Sequence, residues 1–232
     1  TNAISRAMDT SAASVTDMVK RLSDKGLINY EKYKGVTLTP KGYQIATTLI
    51  RNHRIWEVFL FEKLNFSWDE VHEVAEQLEH IKSDTLVDRL DEFLGQPKFD
   101  PHGDPIPDSE GNFTYRKQII LSELQSGEIG VIVGVQEHST AFLQYLDRMN
   151  LVLGTQVTLL EKFEFDESIS VRVNDGQHSL YQVRLLRTSL YNEAIKHYAK
   201  VYPPPSPVAT DDYGMGAEKI GIGHCLDLFR HG

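Results

Sequence analysis

A change in the spacing of apolar residues across the connector Gln96–Phe113 constrains the fold of this chain more than any other feature. The connector is rich in proline, glycine and aspartate, which is typical of a loop between domains. Before it, apolar residues recur every three or four positions, and after it short β-rich runs alternate with turn residues. These runs lie at 129–135, 156–163, 168–173 and 178–185, and a predicted helix, Thr140–Met149, interrupts them. The sequence therefore predicts an α+β fold in which a mainly helical part precedes a small β-barrel.

The composition is that of an ordinary globular protein, with 41% apolar and 25% charged residues among 232. No window is apolar enough to span a bilayer, and the N-terminus has no secretory signal pattern. Cys225 is the single cysteine, so an intrachain disulfide is impossible. This usage predicts a reducing, cytoplasmic location.

The charge is unevenly distributed along the chain. Residues 1–50 contain seven basic and four acidic residues, a net charge of +3, whereas the whole chain carries −9. The remaining residues therefore carry −12. A basic end on an acidic protein indicates a surface that binds a polyanion.

The first 64 residues show the order of a winged helix-turn-helix domain. A short helix at Ile4–Met8 and a second at Ala13–Ser23 are followed by a β-hairpin within Leu27–Thr39. Thr39-Pro40 then starts a helix that we expect to cover Tyr43–Leu64. The chain opens as if inside a domain, so we expect a fragment that lacks at least one upstream helix. The alternative is another small α+β unit without a DNA-binding role.

The second helix and the hairpin tip provide the predicted DNA contacts. The second helix would enter a major groove, and the lysine-tipped hairpin would reach phosphates or a minor groove. The candidate residues are Ser11, Ser14, Thr16, Lys20, Lys32 and Lys34.

Trp68–Leu94 is predicted to be one long amphipathic helix. Its apolar stripe comprises Val71, Ala75, Leu78, Leu86, Leu90 and Leu94. A second stripe comprises His72, Glu76, Glu79 and His80, and the preceding helix carries His53 and Glu57 one turn apart. Imidazoles and carboxylates that converge on one face predict a divalent-metal site, with a solvated charged face as the alternative. The apolar content of the second half predicts a helical dimer interface.

Within the connector, Asp100 and His102 flank Pro101. Because proline fixes the backbone, this turn can present a carboxylate and an imidazole together. Taken alone, a plain surface turn is the competing interpretation.

Four segments together resemble the DtxR/MntR family of metal-dependent transcriptional repressors, over roughly residues 1–190. They are S-A-A-S-V-T-D-M-V-K-R-L, Y-E-K-Y-K-G-V-T-L-T-P-K-G, N-H-R-I-W-E-V-F-L and H-E-V-A-E-Q-L-E-H. The D-P-H-G turn and the β-rich C-terminal part make the chain similar to three-domain manganese sensors with an SH3-like domain.

The resemblance implies two metal sites. The primary site would use Glu76, Glu79 and His80, together with ligands from the helix that this sequence lacks. The second would use His53, Glu57 and His72 in some members, and Glu57, Asp100, His102 and His138 in the manganese sensors. Here Asp100 replaces a cysteine of those relatives and His138 replaces an acidic residue. Glu76 stands where iron sensors carry sulfur, so nitrogen and oxygen donors favour Mn²⁺, with Fe²⁺ possible and Zn²⁺ or Co²⁺ able to substitute in vitro.

The resemblance also implies a domain order. We expect a winged helix-turn-helix domain at 1–45, a helical dimerisation and metal-binding domain at 46–96 and a linker at 97–117. An SH3-like domain would follow at 118–190, and then a C-terminal helix and tail at 191–232.

The sequence thus predicts a homodimeric, metal-activated repressor that binds palindromic operator DNA and controls metal-ion homeostasis. The alternative is a helical dinuclear metal carboxylate enzyme, although the Glu-x-x-His pattern on each of two helices is not met. A winged-helix regulator without metal is a third interpretation.

Overall fold

A computed structural model describes residues 2–7, 10–31, 35–173, 176–180 and 186–190. The chain divides into two compact units. The first includes Thr1–Arg54 and Ile106–Phe113, and the second includes Ile55–Pro105 and the described residues from Thr114 onward. In the described part of the chain, no helix is both long and apolar enough to cross a membrane.

The first unit has the predicted helix, helix, hairpin, helix order. Helices α1 (Asn2–Ala7) and α2 (Ala12–Asp24) precede strands β1 (Ile28–Glu31) and β2 (Gly35–Leu38), which pair antiparallel. The predicted hairpin is therefore confirmed. The core of the first unit is formed by one face of α2 and the start of the hairpin. Its buried residues are Val15, Val19, Leu22, Leu27 and Ile28. Lys32 and Lys34, the predicted hairpin contacts to DNA, lie outside the described residues.

Local signals set both ends of α2. The Ser11 hydroxyl accepts a hydrogen bond from the Ser14 backbone N–H at 3.0 Å, which makes Ser11 the N-cap. At the other end, Gly26 adopts a left-handed φ of +68°, which glycine tolerates without a Cβ penalty.

Helix α3 (Pro40–Leu64) begins at the proline that the sequence placed at its first position. The Thr39 hydroxyl accepts from the Gly42 N–H at 3.0 Å and lies 2.8 Å from the Gly26 carbonyl, to which it donates. Thr39 therefore links the start of α3 to the end of α2. Gly42 is required for this packing, because a Cβ there would overlap the carbonyl of Leu27.

The prediction of one helix over Trp68–Leu94 is wrong. The structure has two helices, α4 (Val71–Leu78) and α5 (Asp84–Phe93), and between them Ser83 is extended with φ −149° and ψ 90°. Continuing the stripe of Val71 and Ala75 by helical steps would place the exposed, charged Lys82 on the core side. Ser83 occupies the N-cap position of α5 without a side-chain capping hydrogen bond, and Asp84 places a carboxylate in the first turn, where the helix dipole favours it.

Trp68 lies outside both helices and is buried in the core of the β-sheet domain. Its indole N–H donates to the Asp147 carboxylate at 3.0 Å. This long-range packing explains why the helix does not start at Trp68.

The second unit contains a six-stranded antiparallel sheet. Its order is β3–β8–β4–β5–β6–β7, and helix α6 (Thr140–Arg148) packs on its core. The strands are β3 (Ile119–Ile120), β4 (Ile129–Val135), β5 (Gln156–Lys162), β6 (Ile169–Val173), β7 (Gly176–Leu180) and β8 (Leu186–Leu190). The sequence analysis missed β3 and β8. The predicted C-terminal helix and tail at 191–232 lie outside the described residues. The α+β prediction is confirmed.

Candidate metal centre

Three buried side chains with metal-ligand chemistry meet in the second unit. Glu57 lies on α3, and Asp100 and His102 lie on the turn that is closed by the isolated pairing of Phe99 with Pro105. One ligand atom of each residue lies within 4.8 Å of the other two. The sequence therefore predicted a set of residues that the fold brings together from two distant segments.

The turn that carries two of these residues is held by its own hydrogen bonds. Asp100 Oδ1 accepts from the backbone N–H of His102 at 2.8 Å and of Asp104 at 2.9 Å. Gly103 completes the turn with a left-handed φ of +84°. The Asp100 carboxylate thus fixes the backbone on which His102 is presented.

His102 is oriented by a contact that sequence reasoning missed. Its Nε2 lies 2.7 Å from the backbone carbonyl of Trp68, which can only accept, so Nε2 carries the proton. Its Nδ1 then points toward Glu57, 3.6 Å from Oε2. A histidine held in this way is typical of metal ligands, in which the non-coordinating nitrogen donates to a carbonyl or carboxylate. No sequence signal identifies such a partner, because every residue has a backbone carbonyl.

The charge balance around His102 favours a cation. Burial opposes protonation, but the Glu57 contact and charge, followed by the Asp100 charge and the Trp68 carbonyl, raise the pKa of His102 to about 9. The cluster therefore holds a proton where a divalent ion would compete with it.

His72 approaches the other oxygen of the same carboxylate. Its Nδ1 lies 3.3 Å from Glu57 Oε1. His53 is buried and lies one turn before Glu57 on α3, as the i, i+4 spacing predicted. Glu57 is thus placed between two imidazoles within the second unit, with one facing each oxygen.

His138 lies beside this group rather than within it. Its ring stacks on that of His102 with centroids 4.7 Å apart, and its Nε2 is 3.6 Å from Asp104 Oδ2. Burial lowers the pKa of His138 to about 4, against the opposing effect of the Asp104 charge. The Nε2 atom is buried without a hydrogen-bond partner among the described residues. A neutral, buried imidazole with an unused nitrogen fits a metal ligand. Asp104 was missed by the sequence reasoning, although it lies in the same acidic turn.

The predicted stripe of His72, Glu76, Glu79 and His80 does not lie on one helix, because α4 ends at Leu78. Glu79 is only 6% exposed and follows the last residue of the helix, whereas His72, Glu76 and His80 are exposed. Glu79 Oε1 and His80 Nε2 are 4.0 Å apart. The three residues predicted for a primary site therefore include one buried carboxylate and two side chains open to solvent.

The predicted DNA contacts on α2 lie away from its core. Ser11, Ser14 and Lys20 are exposed, and Thr16 is half-buried with its hydroxyl donating to the Ala12 carbonyl at 2.8 Å. On α2, Ser14 and Thr16 flank the side that buries Val15 and Val19, and Lys20 lies farther from that side.

Three family models match successive parts of the chain. They are the N-terminal DNA-binding domain of iron-dependent repressors at 1–36, the metal-binding and dimerisation domain of the same repressors at 39–108, and the FeoA domain at 119–182.

Individual relatives match over shorter or longer parts. A probable metal transport system membrane protein of Chlamydia trachomatis is 41% identical over 86 residues, which are 37% of this chain and 19% of that protein. The iron-dependent repressor IdeR of Mycobacterium leprae is 30% identical over 138 residues, 56% of this chain and 60% of the relative. The chain thus spans less than two thirds of the length of these curated relatives.

A solved structure covers more of the chain. It is described as a manganese-dependent transcriptional repressor in complex with manganese, and it is 31% identical with a TM-score of 0.72. The match covers 79% of this chain and 86% of the solved chain.

The chain belongs to the DtxR/MntR family of metal-dependent transcriptional repressors.

Membership of the DtxR/MntR family confirms the predicted architecture of a winged helix-turn-helix domain, a helical dimerisation domain and an SH3-like domain. It supports the repressor hypothesis over the dinuclear metal enzyme, because the matched domain models, IdeR and the solved structure are all described as metal-dependent repressors. The boundaries predicted for each domain and the individual ligands stay predictions.

Proposed function

We propose that this chain is a homodimeric repressor that binds operator DNA when Mn²⁺ occupies its metal centre. The observation that carries the proposal is the buried convergence of Glu57, Asp100 and His102. Buried carboxylates are costly unless paired or metal-bound, so their gathering in one place supports a site for a divalent cation.

The donor set favours a hard metal. Glu57 and Asp100 offer oxygen, and His102 and the neighbouring His138 offer nitrogen, with no sulfur among them. Such donors suit Mn²⁺ and Fe²⁺, and they would also hold Zn²⁺ or Co²⁺ in vitro. We favour Mn²⁺ because Glu76 stands at a position where iron-sensing relatives carry sulfur.

The proposed ligands come from two segments that are far apart in sequence. Glu57 lies on α3, which begins directly after the hairpin, and Asp100 and His102 lie on a turn of the second unit. A bound divalent cation would supply the positive charge that holds these carboxylates and imidazoles together. Activation requires the ion to bind the DNA-competent arrangement more tightly than the alternative, and by linkage DNA then raises the metal affinity by the same factor.

DNA recognition would follow from the exposed face of α2. Ser11, Ser14, Thr16 and Lys20 would contact phosphates and base edges in the major groove, with Lys32 and Lys34 at the hairpin tip reaching phosphates. A homodimer places two such helices on successive turns of a palindromic site. We propose that the protein acts in the cytoplasm and that the genes it controls serve metal-ion homeostasis.

The test is a metal titration of the full chain with DNA binding as the readout. The duplex would be a fluorescent site selected by the protein from a random pool in the presence of Mn²⁺, and fluorescence anisotropy would follow binding. We expect Mn²⁺ at micromolar concentration to switch binding on, whereas DNA binding that ignores Mn²⁺, Fe²⁺ and Zn²⁺ alike would overturn the proposal.

A matched pair of variants assigns the response to the proposed centre. Glu57→Gln removes the charge of the shared ligand at nearly constant volume and is expected to weaken the metal response at least tenfold. Glu62→Gln removes a charge from an exposed position on the same helix and is expected to behave as the parent. Equal responses of the two variants would exclude Glu57 as a ligand.

A further inference from the structure

The ligand-bearing turn of residues 100–104 lies directly against strand β4. The Val135 N–H donates to the His102 carbonyl at 3.0 Å. A Cβ at Gly103 would overlap the Val133 carbonyl, so glycine is needed for this close approach. The backbone that presents Asp100 and His102 is thus packed on the β-sheet.

Arg116 links the same turn to the same strand. Its Nη2 donates to the Gly103 carbonyl at 3.1 Å and to the Val133 carbonyl. Its guanidinium also lies over the Phe99 ring, 3.9 Å from the centroid. One planar side chain therefore bridges the segment that enters the turn, the turn itself and β4.

Arg187, on strand β8, makes the second link through a side chain of the turn. Its Nη2 donates to Asp104 Oδ1 at 2.6 Å and to the Val135 carbonyl. Gly134 leaves the space for this guanidinium, because a Cβ there would come within 2.9 Å of it. Strand β8 pairs with β4, so Arg187 starts from a fixed position.

The contact of Arg187 with Asp104 extends to the metal centre. The other oxygen of Asp104 lies 3.6 Å from His138 Nε2, and the His138 ring stacks on that of His102. Arg187 therefore fixes the carboxylate that faces His138, and His138 covers the ring of His102.

We infer that Arg187, together with Arg116, is a positioning residue that clamps the ligand-bearing turn to the β-sheet and thereby sets the metal affinity of the centre. The inference rests on the proposed function, since it assigns a role relative to that metal centre. It makes metal affinity depend on a strand more than 80 residues away in sequence from Asp100, and on a residue that would not itself touch the ion.

A purely electrostatic role and a positioning role of Arg187 predict opposite changes in metal affinity when the residue is replaced. If the arginine acted only through its charge, removing it would relieve repulsion of a nearby cation, and metal would bind more tightly. If it acts by holding Asp104 and the Val135 carbonyl through Nη2, any side chain without the planar guanidinium weakens metal binding, even one that keeps the charge.

Two substitutions separate these effects. Arg187→Gln removes both the positive charge and the planar guanidinium, whereas Arg187→Lys keeps the charge but not the guanidinium. Arg172→Gln serves as the matched control, because Arg172 is an exposed arginine on β6 of the same sheet. Mn²⁺ binding to the full chain would be measured by electron paramagnetic resonance titration, with circular dichroism as the check on folding.

We expect both Arg187 variants to bind Mn²⁺ about 10–100-fold more weakly than the parent, and Arg172→Gln to be unchanged. Unchanged affinity in both variants, or tighter binding in Arg187→Gln with parental affinity in Arg187→Lys, would overturn the inference.

Asp104→Asn tests the same link from the turn, and it keeps the test decisive if an Arg187 variant fails to fold. Its amide oxygen can still accept from Arg187, but the ion pair with the guanidinium is lost and the turn is held less firmly, so affinity is expected to fall about tenfold. Combined with Arg187→Gln it should cause little additional loss, because the two side chains act as a unit. Fully additive losses, or parental affinity in Asp104→Asn, would contradict the clamp.

Glu57→Gln separates this result from failure of the proposed function. If Glu57→Gln loses Mn²⁺ while the Arg187 and Asp104 variants keep parental affinity, the metal centre stands and the clamp is wrong. If Glu57→Gln also binds Mn²⁺ normally, the centre itself is misplaced.

Discussion

At the scale of single residues, Glu57 shows how one carboxylate can organise a site. His72 faces one of its oxygens at 3.3 Å and His102 faces the other at 3.6 Å. Because Glu57 is almost fully buried, its charge must be balanced within the protein or by an ion. The protonated His102 and a divalent cation are competing ways to balance it, which couples metal binding to proton release.

Glu79 provides the residue-scale test of the predicted primary site. Glu79→Ala removes a buried carboxylate, and we expect it to abolish metal-dependent operator binding because a hard oxygen ligand is lost. Glu73→Ala, at an exposed position on the preceding helix α4, is the control. Fluorescence anisotropy measures both, and Glu79→Gln distinguishes the lost charge from a lost side chain. A full metal response in Glu79→Ala would refute its assignment as a ligand.

At the scale of secondary-structure elements, helix ends rather than helix interiors decide the architecture. Ser11, Thr39 and Ser83 each precede a helix, and the structure starts α2, α3 and α5 directly after them. The apolar pattern alone joined α4 and α5 into one helix, which was wrong because Ser83 and Asp84 start a new one. The periodicity of buried residues therefore predicted helix type correctly and helix extent incorrectly.

The N-cap of α2 gives an element-scale prediction. Ser11→Ala removes the acceptor of the Ser14 N–H, and we expect a loss of about 1 kcal/mol in the free energy of unfolding. Ser11→Thr keeps a capping hydroxyl and should retain most of the stability. Chemical denaturation followed by circular dichroism measures the difference, and equal stability of the alanine variant and the parent would exclude a capping role.

At the scale of the whole molecule, apolar surface is left open on the helical part of the second unit. Phe93 is 66% exposed and Leu86 40% exposed, both on α5. They lie within the stretch matched by the metal-binding and dimerisation domain of the family. We expect this surface to be covered by a second copy of the chain, as the sequence predicted from its apolar content.

Phe93→Glu tests the dimer. The Lys63 ammonium lies 5.7 Å from the centre of the Phe93 ring, so it can pair with the new carboxylate and leave the fold intact. We expect the variant to sediment as a monomer at concentrations where the parent is a dimer, because a charge would be buried in the interface. Phe165→Glu, at a fully exposed position on the β-sheet domain, should remain dimeric. A dimeric Phe93→Glu would remove α5 from the interface.

The sequence by itself determined the features that depend on neighbours along the chain. Caps at Ser11 and Thr39, the hairpin before α3 and four of the six sheet strands follow from local propensity and period, which act over a few residues. The residue types at Glu57, Asp100 and His102 also indicated metal chemistry.

Only the tertiary structure decided which of these side chains meet. The Trp68 carbonyl behind His102, the stack of His138 on His102 and the contact of Asp104 with Arg187 join residues 34 to 83 positions apart. Such contacts are set by packing of the β-sheet domain, and no local pattern in the sequence encodes them.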